Sequence, residues 1–445
     1  MSSVGQVLKV SQSALKLSVR PLSTSFTNRQ KEHCKILVVG GGTGGCSVAA
    51  KLSSKFGKGN VIVLDPAERH YYQPMFTLVG GGIKSLGSSY KSMKSVLPKN
   101  AKWIQEKAKE FHPDKNTVIT SSGQEINYDI LLVAMGLHLN YEKIPGLVEA
   151  LSIPNGNVGS NYSPDHVDKT YSALKRVDKG NAIFTMPTGS IKCPGAPQKA
   201  VYISEDYLRR TNKRKNVNVI YNTSIANIFG VKKYADALWK LVEKRDIKVN
   251  LKTNLVEVKP HKNIAVFANV ENPNDKFEIE YSMLHAVPPM SPPGELKQCK
   301  ELVNELGFVE VNKDTMQHLK YSNVFAIGDC SSSPNSKTAA AAAAQSPIVY
   351  DHILATLNGK PLKGVYDGYA SCPLVTGYHK CILAEFDYNL QPLETFPVSQ
   401  DKERYSMFIM KKDFMPPLYW HLMLNGYWNG PGMMRKAMSI FKFGK

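Results

Sequence analysis

The chain has 445 residues, 42% of them hydrophobic and 21% charged, with a formal charge of +19. That length exceeds one ordinary core, so two or three domains are expected. The charge favours an anionic partner, but the lysines form no long basic run, which argues against a nucleic-acid binder, and seven cysteines without a CxxC pair argue against a zinc or iron–sulfur centre.

Residues 1–31 hold Lys9, Lys16, Arg20, Arg29 and Lys31, many serines and no acid, with apolar residues spread among the basic ones. This is the pattern of a mitochondrial transit peptide rather than a secretory signal. Next, CKILVVGGGTGGCSVAAKL predicts a buried strand from Ile36 to Val39, a turn with Gly40, Gly42 and Gly45 in GxGxxG spacing, and a helix. The glycines allow a tight turn and close approach to a pyrophosphate at the helix N-terminus. A second strand, VIVLD, ends in Asp65, whose carboxylate would accept from a ribose hydroxyl.

From residue 181 the pattern recurs as the strand NAIFTMP, a loop, a helix, the strand VNVIYN and the helix KKYADALWKLVEK. This second loop has Gly189 and Gly195 but no GxGxxG. Pro187, Pro194 and Pro197 remove amide donors, and the second strand ends at Tyr221 and Asn222 with no carboxylate. The expectation is a Rossmann-like domain that has lost NAD(P)H binding. Cys193 stands where the nicotinamide donor would be, and Lys192 and Lys199 are close enough in sequence to favour its thiolate. For a redox partner, Cys372 in DGYASCPLVTGY reads as a loop cysteine with access, and Cys330 after the second aspartate is a lesser candidate. Cys34, Cys46 and Cys381 read as packing residues and Cys299 as exposed.

Downstream, YSNVFAIGDCSSSPNSKTAAAAAAQ is a strand ending in Gly328 and Asp329, then Ser336, Lys337 and an alanine-rich helix. It resembles the second FAD signature of two-dinucleotide-domain flavoproteins, and LLVAMG resembles the strand that leaves the first FAD segment. The expected fold is therefore α/β, with two Rossmann-like domains and the FAD domain split around the insert. Its expected bounds are 32–150 and 300–365 for the FAD domain, 151–299 for the insert carrying Cys193, and 366–445 for a C-terminal region carrying Cys372. No run reaches the roughly 18 apolar residues of a membrane span. The tail from Phe414 instead mixes Phe, Met, Tyr, Trp and Leu with basic residues, and from Met434 a helix would set Met434, Ala437, Met438 and Phe441 opposite Arg435 and Lys442. With Trp420 and Trp428 at headgroup level, it reads as a monotopic anchor on an anionic membrane.

Taken together, GGGTGGC, DPAERHYYQP, MPTGSIKCPGAPQKA, FGVKKYADAL, VPPMSPP, AIGDC, SKTAAAAAAQS, DGYASCPLVTGY, ILAEFDY and PLETFP resemble the eukaryotic mitochondrial sulfide:quinone oxidoreductases. The resemblance spans nearly the whole chain after residue 31. It implies a redox pair of Cys193 and Cys372, bridged directly or through an extra sulfur. Hydrogen sulfide attacks at Cys372 and leaves a persulfide there; electrons pass by way of Cys193 to FAD and then to ubiquinone. The outer sulfur goes to glutathione or sulfite. Implied FAD contacts are Gly42, Thr43, Gly44 and Gly45 at the pyrophosphate, Asp65 at the ribose, and Gln73, Asp329 and Lys337 nearer the flavin. Phe408, Phe414 and Tyr419 are quinone candidates from the apolar tail, and the inner mitochondrial membrane is the implied location. A type II NADH:quinone oxidoreductase is the alternative of similar architecture, opposed by the missing second fingerprint.

Overall fold

The computed structural model describes residues 31–440. Residues 1–30 of the expected transit peptide, and Phe441 and Lys442 of the tail helix, lie outside them. The strand Lys31–Val39 is the axis of the first sheet. It runs parallel to Val61–Leu64 on one side and to Glu125–Val133 on the other. Lys102–Ile104 adds a parallel strand beyond Val61–Leu64, and Val324–Ala326 pairs parallel with Glu125–Val133. Chain segments two hundred residues apart thus share one sheet, because Val324–Ala326 is as apolar as its neighbours and is covered on both faces. Ile36, Leu37 and Val38 are fully buried, and the helices Thr43–Phe56 and Ala339–Leu357 pack together over the sheet.

The second sheet is wholly parallel, in the order Val158–Gly159, Met283–His285, Gly180–Met186, Val217–Thr223, Lys248–Asn250. The helices Ala196–Arg210 and Lys232–Lys244 cover it, the latter with the bounds that its sequence period predicts. A three-stranded antiparallel sheet, from Thr253 to Glu280, flanks it. The short pair of His138–Leu139 with Met290–Ser291 ties the two crossings between the sheets together.

Two sequence expectations are corrected. Cys372 is not in a loop but in the strand Ala370–Gly377, which forms a hairpin with Lys380–Phe386 and is only 3% exposed. Pro373 made it look like a loop; a two-stranded hairpin leaves one edge of this strand without a ladder, and a proline is tolerated there. Cys299 is not exposed either: the short helix Gly294–Gln298 drives Leu296 into the first core, and Cys299 follows it in to 6% exposure.

The tail from Tyr405 to Met423 is one helical ribbon interrupted by two wider-wound stretches, Met410–Phe414 and Leu418–Met423. There the amide of Leu424 reaches the carbonyl of Tyr419, five residues back, at 3.1 Å. Pro416 and Pro417 lack the N–H groups that would close ordinary turns, which accounts for the widening. A last helix, Gly432–Ser439, follows. Among the described residues no helix is long and apolar enough to cross a membrane.

Candidate functional site

The glycine loop, the end of the second strand and the start of the Ala339–Leu357 helix enclose a cleft of about 640 Å³. Gly40, Gly42, Thr43, Gly44, Asp65, Gln73, Asp329 and Lys337 all line it. Gly45 is one turn deeper: a Cβ there would lie 1.8 Å from the carbonyl oxygen of Gly40, so only glycine lets the helix close onto the strand. At Gly42, by contrast, an added Cβ would meet nothing within 4 Å, and no side chain caps the helix that starts there. The loop is an open cradle of backbone donors at a positive helix end, which suits a pyrophosphate.

Asp65 accepts from the amides of Gly41 at 2.6 Å and Ala67 at 2.7 Å, and burial pushes its carboxyl up against those two bonds. At the far end, burial likewise raises the Asp329 carboxyl, opposed by the ammonium groups of Lys192 and Lys337. These residues fit FAD as the sequence predicts it: anion cradle at one end, carboxylates for ribose and ribityl hydroxyls beyond. The side chain of Lys337, however, is turned aside. Its ammonium donates to the carbonyls of Ser331 and Ser333 at 2.6 and 2.8 Å, while Lys192 reaches Gln73 Oε1 at 2.8 Å. Lys192 is therefore a cation that faces this end of the cleft, which Lys199 and Lys411 also line.

Cys193 and Cys372 come together with their sulfurs 3.6 Å apart and unbridged. The Cys193 backbone has φ of +51°, a left-handed turn that a non-glycine residue holds only when its surroundings fix it. They do: its amide donates to the Lys337 carbonyl at 2.7 Å, and its own carbonyl accepts from Ala196 N at 2.8 Å and Tyr162 OH at 3.2 Å. Gly195 makes room for the partner, since a Cβ there would stand 2.6 Å from Cys372 Sγ. The first turn of the helix Ala196–Arg210 aims Lys199 Nζ at Cys193 Sγ, 3.4 Å away.

The electrostatics separate the two thiols. The hydrogen bond from Cys372 and the Lys199 ammonium hold Cys193 well below the ordinary thiol range despite its burial. Cys372, as the donor to that thiolate and a buried group, is held well above it. Burial works against the Lys199 ammonium, but the two sulfurs outweigh it and keep it charged. Lys411, also buried, is pushed down to about 8 by desolvation and by Lys199. The arrangement is one stable thiolate beside one thiol, which is the starting point for disulfide exchange.

The pair divides two spaces. Cys372 lines a second cavity of about 490 Å³, with Phe229, Phe386, Leu390 and the 331–337 segment. Its strand neighbours Ser371 and Pro373 line the first cleft instead, as alternation along a strand requires. Cys193 is the cysteine that lines both. Cys330 is fully buried in the first core and lines neither, which removes it as the partner.

Phe408 and Tyr419 do not serve as exposed quinone contacts: they are 1% and 2% exposed, and neither lines the cleft. Lys411 and Met415 line it instead. Sequence reasoning missed Lys411, whose neighbours Lys412 and Asp413 mark an exposed stretch, and Tyr162, whose role depends on a contact thirty-one residues away. Trp420 and Trp428 pack half-buried against Tyr72, Phe76 and Tyr419. The outer face of the tail is formed by Phe414, Leu422, Tyr427, Met433 and Ile440, which are exposed. Arg435 turns inward to Asp367 at 3.0 Å.

Residues 34–346 match the family described as pyridine nucleotide-disulphide oxidoreductase. Over 421 residues the chain is 52% identical to the mouse protein named sulfide:quinone oxidoreductase, mitochondrial, covering 94% of this chain and 92% of that one. The protein of the same name from Dictyostelium discoideum is 44% identical over 429 residues, covering 95% and 94%. A crystal structure of the sulfide:quinone oxidoreductase from Aquifex aeolicus superposes with a TM-score of 0.75 at 19% identity, over 92% of this chain and 95% of that one, which is a likeness of fold.

Proposed function

The chain belongs to the mitochondrial sulfide:quinone oxidoreductases, flavin-dependent members of the pyridine nucleotide-disulphide oxidoreductase family, and from that membership we propose that Cys372 and Cys193 carry its chemistry in that order. The observation that carries the reading is the 3.6 Å approach of two sulfurs that share one cavity, while Cys193 alone of the two also lines the FAD cleft.

Hydrogen sulfide enters by the Cys372 cavity and attacks Cys372 Sγ in the bridged pair. The bond between the two cysteines breaks, a persulfide forms on Cys372, and Cys193 leaves as a thiolate. Lys199 makes it a good leaving group by meeting its charge at 3.4 Å. A nucleophile in the same cavity, glutathione or sulfite, takes the outer sulfur and leaves Cys372 with the electron pair of the broken bond. The two sulfurs then rejoin and give up two electrons through Cys193, the member of the pair that lines the cleft. FAD, held there by the Gly42–Gly44 loop, Asp65 and Asp329, would supply the two-electron acceptor, with ubiquinone as the proposed final acceptor. Tyr162 and the Lys337 carbonyl keep the Cys193 backbone in its turn throughout, so that its sulfur serves both sides.

The exposed Phe414, Leu422, Tyr427, Met433 and Ile440 form the face that rests in an anionic lipid interface, from which a lipid-soluble quinone is drawn. Mitochondrial inner membrane is the location that this implies. The test is anaerobic: sulfide, with sulfite present as the sulfur acceptor, bleaches the flavin of the purified protein, a short-chain quinone restores it, and Cys193→Ser and Cys372→Ser each abolish bleaching. Bleaching by NADH, with both variants active, would overturn the reading in favour of a nicotinamide enzyme.

A further inference from the structure

The loop that cradles the pyrophosphate is not held by its own domain alone. His70 Nδ1 lies 2.9 Å from the carbonyl of Gly41, which the Cys46 thiol also reaches at 3.1 Å. His70 Nε2 lies 2.5 Å from the hydroxyl of Tyr419, and that hydroxyl lies 2.9 Å from Thr43 Oγ1. Burial lowers the His70 imidazole to about 4, so it is neutral at physiological pH. One assignment satisfies every atom: Nδ1–H donates to Gly41, Tyr419 O–H donates to Nε2, and Thr43 O–H donates to Tyr419. Tyr419 therefore closes a bridge across the loop, from Gly41 on one side of the open cradle to Thr43 on the other.

Tyr419 comes from the C-terminal ribbon, not from either Rossmann sheet. Its ring packs on Tyr72 with centroids 4.4 Å apart, and Trp420 stands edge-on to it at 5.0 Å. Further contacts fasten the ribbon and the segment after it to the cofactor domain: Lys411 Nζ to the Pro74 carbonyl at 3.0 Å, and Lys51 Nζ to Asn429 Oδ1 at 2.6 Å. The opposite side of the ribbon and its continuation carry Phe414, Leu422, Tyr427 and Met433, exposed by 43% to 81%. One ribbon thus has an inner face on the cofactor loop and an outer face without protein cover.

We propose that Tyr419 is a positioning residue for FAD, and that through it lipid docking of the tail and retention of FAD are coupled. The proposal rests on the membrane reading above. Lipid contact on the outer face holds the ribbon in place, which keeps Thr43 and Gly41 set for the pyrophosphate. By linkage, FAD in the cleft must strengthen vesicle binding by the same factor.

The experiment follows FAD release from the holoprotein, by recovery of free-flavin fluorescence, with and without vesicles of phosphatidylcholine and phosphatidylglycerol. Flotation with the vesicles is scored in parallel. The expected results are a release several-fold slower on vesicles for the wild type, about tenfold faster release for Tyr419→Phe, which loses two buried hydrogen bonds, and no vesicle effect in that variant. Near-ultraviolet circular dichroism of the holoproteins separates this from damage to the fold: it should be the same for Tyr419→Phe and wild type. Leu422→Glu with Met433→Glu should release FAD like the wild type in solution, fail to float, and show no vesicle effect. Wild-type protein that floats but releases FAD at an unchanged rate would overturn the coupling while leaving membrane docking intact. Failure to float would overturn the docking and the coupling together, and wild-type release by Tyr419→Phe would overturn the role of the hydroxyl.

Discussion

Removing the Lys199 ammonium should raise the Cys193 thiol from about 5 to about 7, so that its thiolate is lost at mildly acidic pH. The charge stands 3.4 Å from the sulfur, with Lys199 buried and Cys193 partly exposed. At an effective dielectric of ~20, a pair of unit charges at that distance attracts by about 5 kcal/mol, or roughly 3.5 pKa units. Lys411 also acts on Cys193 and would remain, so the net loss on Lys199→Met is put at about two units. The assay is the pH dependence of iodoacetamide alkylation of Cys193 in anaerobically reduced protein, alongside the rate of flavin bleaching by sulfide. The inflection should rise from about 5 to about 7 in Lys199→Met and return most of the way in Lys199→Arg, with bleaching slowed by ~10-fold at pH 6 but only ~2-fold at pH 7 in the former. An inflection that stays in place in Lys199→Met would refute the reasoning. It would mean that the hydrogen bond from Cys372 alone, the larger influence, holds the thiolate.

Gly195→Ala places a methyl 2.6 Å from Cys372 Sγ, so the strand or the helix start must shift; sulfide should no longer bleach the flavin, while the flavin-to-protein absorbance ratio stays that of the wild type. Glu205 is 2% exposed and meets Arg245 and Arg209, each at 3.4 Å; Glu205→Gln should lower stability by ~1–3 kcal/mol, read as a drop in melting temperature. Lys411 has a folded pKa near 8 against 10.5 for its ordinary value, so the unfolded chain binds more protons between those two. Its burial therefore destabilises fully below about pH 8, and the penalty is released as pH rises towards 10.5. Lys411→Met should raise the melting temperature at pH 7 and lose that advantage near pH 10.

The parts of this molecule legible in the sequence were those governed by local pattern. The first strand, its glycine loop and the helix Lys232–Lys244 follow from a run of Ile, Leu and Val, a GxGxxG spacing and a helical period, because each is decided by residues that touch within a few positions. Cys193 was legible for a similar reason, as an anomaly inside a familiar loop. What failed was decided at long range. Pro373 signals a loop locally, but the hairpin partner Lys380–Phe386 and the packing of helix Ala196–Arg210 make Cys372 a strand residue. Tyr419 looked like part of an apolar surface until Thr43, 376 residues earlier, proved to be its partner. Buried Lys411 belongs with it, since a lysine next to other polar residues carries no local mark of burial.

The alternation of Ser371, Cys372 and Pro373 along one strand has a kinetic consequence. It acts as a partition between two chambers, and Cys193 is the cysteine that reaches both, so on the proposed reading the sulfur acceptor and the electron acceptor meet the pair from different sides. Each co-substrate should therefore saturate independently of the other, and crowding one chamber with a dead-end analogue should leave the half-reaction in the other running at its own pace.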